Sequence, residues 1–270
     1  MRTRGLSVMV TGASSGIGRE TAIALARRGA RVWAVARSAD LLDDLASGHE
    51  GITALVADLT DDDDRASVVK AAGKVDMLVN NAGIGWVGPV AEMPANQVRQ
   101  LFELNVIALI DLTQRVLPAM LERRRGHVVN VASVASWVAL PPLTVYSATK
   151  FAVQGFSDGL RRELVGRGVS VATINPGPVA TRFGPRAQSE DRASGEMGKG
   201  VMAGVPASLV ARAVVRSVQM AGWPGYSSIA VPRVLGLSRL GAVPGLRWFS
   251  DAAGVASRRP ELYRRFGQPL

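Results

Sequence analysis

Short apolar runs alternate with helical patterns along most of the chain. Leu6 to Val10 is apolar and β-branched, and Thr11 and Gly12 close it. A helical pattern follows from Ile17 to Arg28, with Ile17, Ala24 and Leu25 on one side, and Gly29 stands where a helix ends. The spacing then predicts strands over Arg31 to Ala36, Ile52 to Ala57 and Val75 to Val79. A short helix over Ala39 to Leu45 and a polar one over Asp61 to Ala72 separate them. These strands are continuous apolar runs rather than strict alternations, as a sheet covered on both faces requires.

The second half repeats the pattern with longer helices. Val98 to Glu122 reads as one helical stretch around Asn105, with a break at Pro118. His127 to Ala132 is a strand, Tyr146 to Val165 a helix and Val169 to Ile174 a strand. The expected fold is therefore α/β: a three-layer αβα sandwich around a doubly wound parallel sheet, the Rossmann fold. Ligands are expected outside the C-terminal ends of the strands. After Thr181 the pattern changes. Residues 182–204 are rich in Gly, Ser, Arg and Glu and read as an insertion or lid. Ala207 to Met220 returns to helix and Ser228 to Val231 is a last strand, so residues 1–231 form one domain. Residues 232–270 are a basic and apolar C-terminal extension.

Composition narrows the chemistry. The 270 residues include no cysteine and two histidines, His49 and His127. Disulfides, thiolate metal sites and cysteine nucleophiles are excluded, and no metal site is expected. The net charge of +10 comes mostly from 28 arginines scattered along the chain rather than set in a stripe, so no nucleic-acid partner is expected. Arg2 and Arg4 lead directly into the first strand with no signal-peptide pattern, and the longest apolar runs fall far short of a membrane span. A cytoplasmic protein is the expectation.

Thr11 to Gly18, TGASSGIG, lies between a predicted strand and a predicted helix. Such a turn aims backbone N–H groups and a helix N-terminus at a pyrophosphate, with Gly12, Gly16 and Gly18 removing Cβ atoms that would block it. Alone it is either a nucleotide site or a plain strand–helix connection; after the first strand of a doubly wound sheet, the nucleotide reading leads. At the end of the second strand stand Ala36, Arg37 and Ser38, where NAD-binding chains carry an acid. A guanidinium and a hydroxyl there suit a ribose 2′-phosphate, so the cofactor is read as NADP(H), with Arg19 as a second contact. The plainer alternative makes Arg37 an ordinary surface arginine.

Ser133 ends a buried strand, and Tyr146 and Lys150 are four apart at a helix start, on one helix face. An ammonium near a phenol favours the phenolate, which would make Tyr146 an acid–base group. Spacing alone fits a surface pair better than a catalytic one. Taken together, TGASSGIG, NNAG at Asn80 to Gly83, Ser133, YSATK at Tyr146 to Lys150 and Pro176–Gly177 resemble the classical short-chain dehydrogenases/reductases, in order, over roughly Leu6 to Thr181.

The resemblance implies a catalytic set. Tyr146 exchanges a proton with the substrate oxygen, which Ser133 polarises. Lys150 holds the nicotinamide ribose and lowers the tyrosine pKa, and Asn105 supports a proton relay. It also implies cofactor contacts at Gly12, Ser14, Ser15, Gly16, Ile17 and Gly18. Others fall at Arg37, Ser38, Asp58 and Leu59, at Asn81, Ala82 and Gly83, and at Tyr146 and Lys150. Pro176 and Gly177 border the nicotinamide, Val179 is a further cofactor contact, Thr181 touches the carboxamide or the pyrophosphate, and residues 182–204 match the family's substrate loop. The implied reaction is hydride transfer between NADP(H) and a carbonyl or secondary alcohol; the alternative is an NADP(H)-binding regulator or sensor without turnover. Trp86, Met93, Trp137, Leu140, Leu143 and Phe183 flank the expected site and suggest a lipophilic substrate, unless they are core. A homodimer or homotetramer is expected by resemblance. The extension at 232–270 either packs on protein, which is favoured, or lies on a membrane surface.

Overall fold

The computed structural model describes residues 3–139, 141–180, 204–219 and 228–231. Seven strands form one sheet: β1 (Ser7–Thr11), β2 (Arg31–Ala36), β3 (Ile52–Val56), β4 (Met77–Asn80), β5 (Gly126–Val131), β6 (Val169–Pro176) and β7 (Ser228–Val231). Their order is β3-β2-β1-β4-β5-β6-β7, and every pairing is parallel. The winding reverses between β1 and β4, which opens a crevice at the C-terminal ends of those strands. β1, β4 and β5 are buried at every residue, as their unbroken apolar runs demand.

Helices α1 (Gly16–Ala26), α2 (Ala39–Ser47) and α7 (Ala207–Gln219) cover one face. Ala22, Leu25, Leu42, Leu45, Val210 and Val214 pack there against Val8, Val10, Val32 and Ala34. The other face carries α3 (Asp62–Ala72), α5 (Ala108–Glu122) and α6 (Thr144–Glu163), with Val68, Leu112, Val116 and Leu160 on Met9, Val35, Leu78 and Val128. α4 (Ala95–Phe102) precedes α5 at the edge of the crevice. The four aspartates 61–64 open α3: Asp61 accepts from the Asp64 N–H at 3.0 Å, and the others lie in the first turn, where the helix dipole favours them.

The stretch expected as one helix broken at Pro118 is continuous there. Pro118 and Gln114, the residue whose carbonyl it leaves without a donor, are both exposed, so the missing bond falls on the solvent side of the helix. The irregularity falls instead at Glu103–Ile107, a π-helical turn between α4 and α5 that contains Asn105. The joined helix Ala95–Glu122 has 28 residues and contains an 18-residue window of mean hydropathy 1.4, enough to cross a membrane by length and composition, against the shorter runs read from sequence. Leu101, Leu109, Leu112, Val116 and Met120 bury its inner face in the fold, as in a core helix. The insertion, apart from Gly204 at its end, and the extension at 232–270 lie outside the described residues.

Candidate active site

The glycine turn is shaped by the strand beside it. The Thr11 hydroxyl donates to Val79 O at 3.3 Å and accepts from the N–H groups of Asn81 and Ala82 at 2.9 Å each. Asn81 Nδ2 donates back to Thr11 O at 2.9 Å. These bonds fasten the end of β4 to the turn. Gly12 has φ +66°, and a Cβ there would stand 2.9 Å from Ala82 Cα; a Cβ on Gly18 would overlap Gly12 O. Ser15 is extended and leads into α1, whose first turn holds no acid, so its N-terminus stays electropositive. Ser14 is buried, and Ile17 packs half-buried on the core.

The next strand ends carry charge into solvent. Arg37 follows β2 with its side chain 60% exposed, and its Nη1 lies 3.6 Å from Asp58 Oδ2. Burial alone would raise the Asp58 pKa, but the Thr60 N–H and hydroxyl and the Arg37 guanidinium hold it below the usual value. Ser38 caps the start of α2 in position, but its hydroxyl makes no cap bond. Arg19 is engaged on α2, donating to Leu41 O at 3.3 Å and to Asp44 Oδ2 at 2.8 Å. Leu59 is buried, and its carbonyl accepts from Arg65 at 2.8 Å.

The reacting residues meet across β5, α6 and the π turn. Ser133 caps a 3₁₀ turn, Val134–Ser136, accepting from Ala135 N–H at 3.1 Å, and its side chain acts to lower the Tyr146 pKa. Lys150 is 5% exposed; its Nζ donates to Val131 O at 3.1 Å and lies 5.7 Å from the Tyr146 ring centre. Asn105, 1% exposed, accepts from Ile84 N–H and donates to Ile84 O, both at 2.9 Å, and donates to Thr149 Oγ1 at 3.1 Å. Thr149 in turn donates to Tyr146 O at 2.7 Å. A Cβ on Gly83 would sit 3.0 Å from Asn105 Oδ1, so glycine lets the strand end lie on the asparagine. Burial pushes Tyr146 up to about 12, only partly offset by Ser133, and brings Lys150 down to about 8. No lowering by Lys150 offsets this: burial raises the tyrosine, and Ser133 is what acts against it.

The structure brings together Ser133, Tyr146, Lys150, Asn105 and Gly83, and separately Gly12, Gly16, Gly18, Asn81 and Ala82. Pro176 and Gly177 close β6, Gly177 N–H donating to Val231 O at 2.9 Å, and Val179 bridges Val205. Thr181, Leu140 and Phe183 lie outside the described residues. Trp86, Met93 and Leu143 pack in one cluster with Tyr146, while Trp137 is buried. Thr149, Ser136 and Asn175 went unread in the sequence. Ser136 Oγ lies 2.6 Å from Ser133 O and 2.8 Å from Asn175 Oδ1, with one proton to donate between them, and so links the serine turn to β6. Thr149 had a local signal, three residues past Tyr146; Asn175 had none.

A parallel sheet that reverses between β1 and β4, with a glycine turn at that point, defines a dinucleotide-binding protein of the Rossmann type. The profile described as short chain dehydrogenase matches residues 7–192, and the chain belongs to that family of oxidoreductases. It is 40% identical over 185 residues to the uncharacterized oxidoreductase YbbO of Escherichia coli K12, covering 66% of this chain and 67% of that one. A short-chain dehydrogenase from Sphingobium yanoikuyae in complex with NADPH superposes with a TM-score of 0.77 at 29% identity, over 93% of this chain and 94% of the other. Another from Burkholderia phymatum, in complex with NAD, gives 0.80 at 25% identity, over 89% and 94%.

Proposed function

We propose that the protein transfers a hydride between NADP(H) and a carbonyl or secondary alcohol, with Ser133, Tyr146, Lys150 and Asn105 as the reacting set. One observation carries the reading: a buried Tyr146 whose pKa Ser133 lowers, with the Lys150 Nζ 5.7 Å from its ring centre, at the C-terminal edge of the sheet. The residues fit the cofactor. Gly12 and Gly18 leave no Cβ in the turn, the α1 N-terminus carries no opposing acid, and Arg37 is exposed and loosely paired, free to take a 2′-phosphate.

NADPH, when bound, supplies the hydride to the carbonyl carbon. Tyr146 gives its phenolic proton to the substrate oxygen, a proton that a phenol holds at neutral pH. Ser133 donates to the same oxygen as charge develops there. Lys150 holds the nicotinamide ribose and, with Asn105, returns a proton to the tyrosine. Trp86 and Met93 pack with Leu143 and Tyr146 as buried core, the plainer of the two readings, so the substrate is proposed only as a carbonyl or secondary alcohol.

The test is reduction of a panel of ketones and aldehydes with NADPH and with NADH, followed at 340 nm. Turnover with NADPH preferred supports the reading. Tight NADPH binding without turnover on any carbonyl would favour the sensor instead, and equal affinity for both cofactors would remove the role of Arg37.

A further inference from the structure

We propose that Arg65 is a positioning residue that couples the adenosine end of the site to the π turn holding Asn105. Its side chain is 7% exposed, on a helix otherwise opened by aspartates. Nε donates to Asp111 Oδ2 at 2.8 Å, and Nη1 donates to Leu59 O at 2.8 Å and to Glu103 Oε1 at 3.2 Å. Nη2 donates to Asp62 Oδ1 at 3.1 Å. Glu103 begins the π turn and Asp111 lies in the first turn of α5, so the two carboxylates bracket Asn105. Leu59 follows Asp58 directly. One planar guanidinium therefore spans the loop after β3, which carries Asp58 of the proposed adenosine site, and both flanks of the turn.

A π turn holds an extra residue that an ordinary helix would expel, and it persists where packing or function keeps it. Asn105 makes slippage costly to the site, since its amide is already bonded to Ile84 and Thr149. Arg115 closes the network from outside, donating at 2.6 Å to both Asp111 and Asp62. Removing the central cation would leave partly buried carboxylates facing one another. A lysine cannot replace it, because a single ammonium does not reach four directions in one plane.

The plainer role would be an ion-pair network that only holds α3 on α5. Asp62 separates the two, since it binds Arg65 and Arg115 but touches neither the π turn nor Leu59. The full-length protein and the variants Arg65→Met, Glu103→Gln and Asp62→Asn are compared by hydrogen–deuterium exchange, by titration with 2′,5′-ADP and by steady-state kinetics. In Arg65→Met, exchange should rise over residues 103–108 and 58–60 but not in β5, and 2′,5′-ADP should bind more weakly. Its kcat should fall by about 10²-fold, as for a misplaced reacting group, with KM for the carbonyl nearly unchanged. Glu103→Gln should repeat the effects at 103–108 and on kcat alone, whereas Asp62→Asn should lower Tm only. Parental exchange over 103–108 in Arg65→Met overturns the proposal. So does the same result in Glu103→Gln if the first variant does not fold, or an Asp62→Asn variant that changes kcat as much as Glu103→Gln. The kinetic arm rests on the proposed hydride transfer: absence of turnover in the parent would refute that function, while exchange and 2′,5′-ADP binding would still decide the role of Arg65.

Discussion

The two ends of the site are built on opposite terms. At the adenosine end, Arg37 and Asp58 are 60% and 41% exposed and pair at 3.6 Å. At the reacting end, Tyr146, Lys150 and Asn105 are 9%, 5% and 1% exposed. A pair in water is worth little and exchanges partners cheaply, so Arg37 can leave Asp58 for a phosphate. A buried polar group must find its partner within the protein, which is why Asn105, Thr149 and Lys150 are each tied to a fixed neighbour. On the proposed function, the exposed end would select by charge, while the buried end is already bonded within the protein.

That difference predicts unequal sensitivity. The largest loss is expected at Tyr146: Tyr146→Phe keeps the ring and its packing, so NADPH affinity should hold while the single-turnover rate of reduction falls by about 10²–10⁴. A chemical step within threefold of the parent would mean that another group is the acid.

His127 tests burial away from the chemistry. It is 1% exposed, with Nδ1 2.8 Å from Ser170 Oγ and Nε2 2.9 Å from Ser217 Oγ, and burial lowers its pKa from 6.5 to about 4. The unfolded chain takes up a proton below pH 6.5 that the folded one refuses, so stability from this group is present above 6.5 and lost as pH falls toward 4. The loss should reach about 3 kcal/mol. Urea unfolding across that window should be steeper in pH for the parent than for His127→Gln; parallel curves would show that the imidazole is not shut from water.

At the exposed end, Arg37→Asp should cost roughly 10–10² in NADPH affinity, the worth of one charge-assisted contact, and leave NADH little changed or tighter. Calorimetric titration of both cofactors reads it. The smallest effect belongs to Arg19, already committed to Leu41 and Asp44. Arg19→Gln should move NADPH affinity by no more than about threefold, as a surface pair allows, and a change as large as that at Arg37 would make it a phosphate contact after all.

Most of the layered fold was legible along the chain. Continuous apolar runs marked the central strands, and the helices between them were read to within a few residues, because each pattern reports the faces its own segment buries. The candidate groups were legible too, with Tyr146 and Lys150 at a helical spacing and the glycines at a turn. The π turn at Asn105 was not, since nothing in Leu104–Asn105–Val106 departs from an ordinary helix; it is held by Ile84 and Thr149, far away in sequence. Pro118 misled for the opposite reason: its local rule is sound, but the missing bond falls on the solvent side of the helix.

The sequence by itself thus determined the order of strands and helices, the glycine turn and the sets of residues available for chemistry. These follow from side-chain periodicity and backbone freedom, which act over a few residues. Only the tertiary structure decided which way the Tyr146 and Lys150 pKa values move, where Arg19 points, and that Arg65 meets Leu59, Glu103 and Asp111. Burial and pairing are sums over segments distant in the chain, and they take a value only when the sheet and its helices have closed around the group.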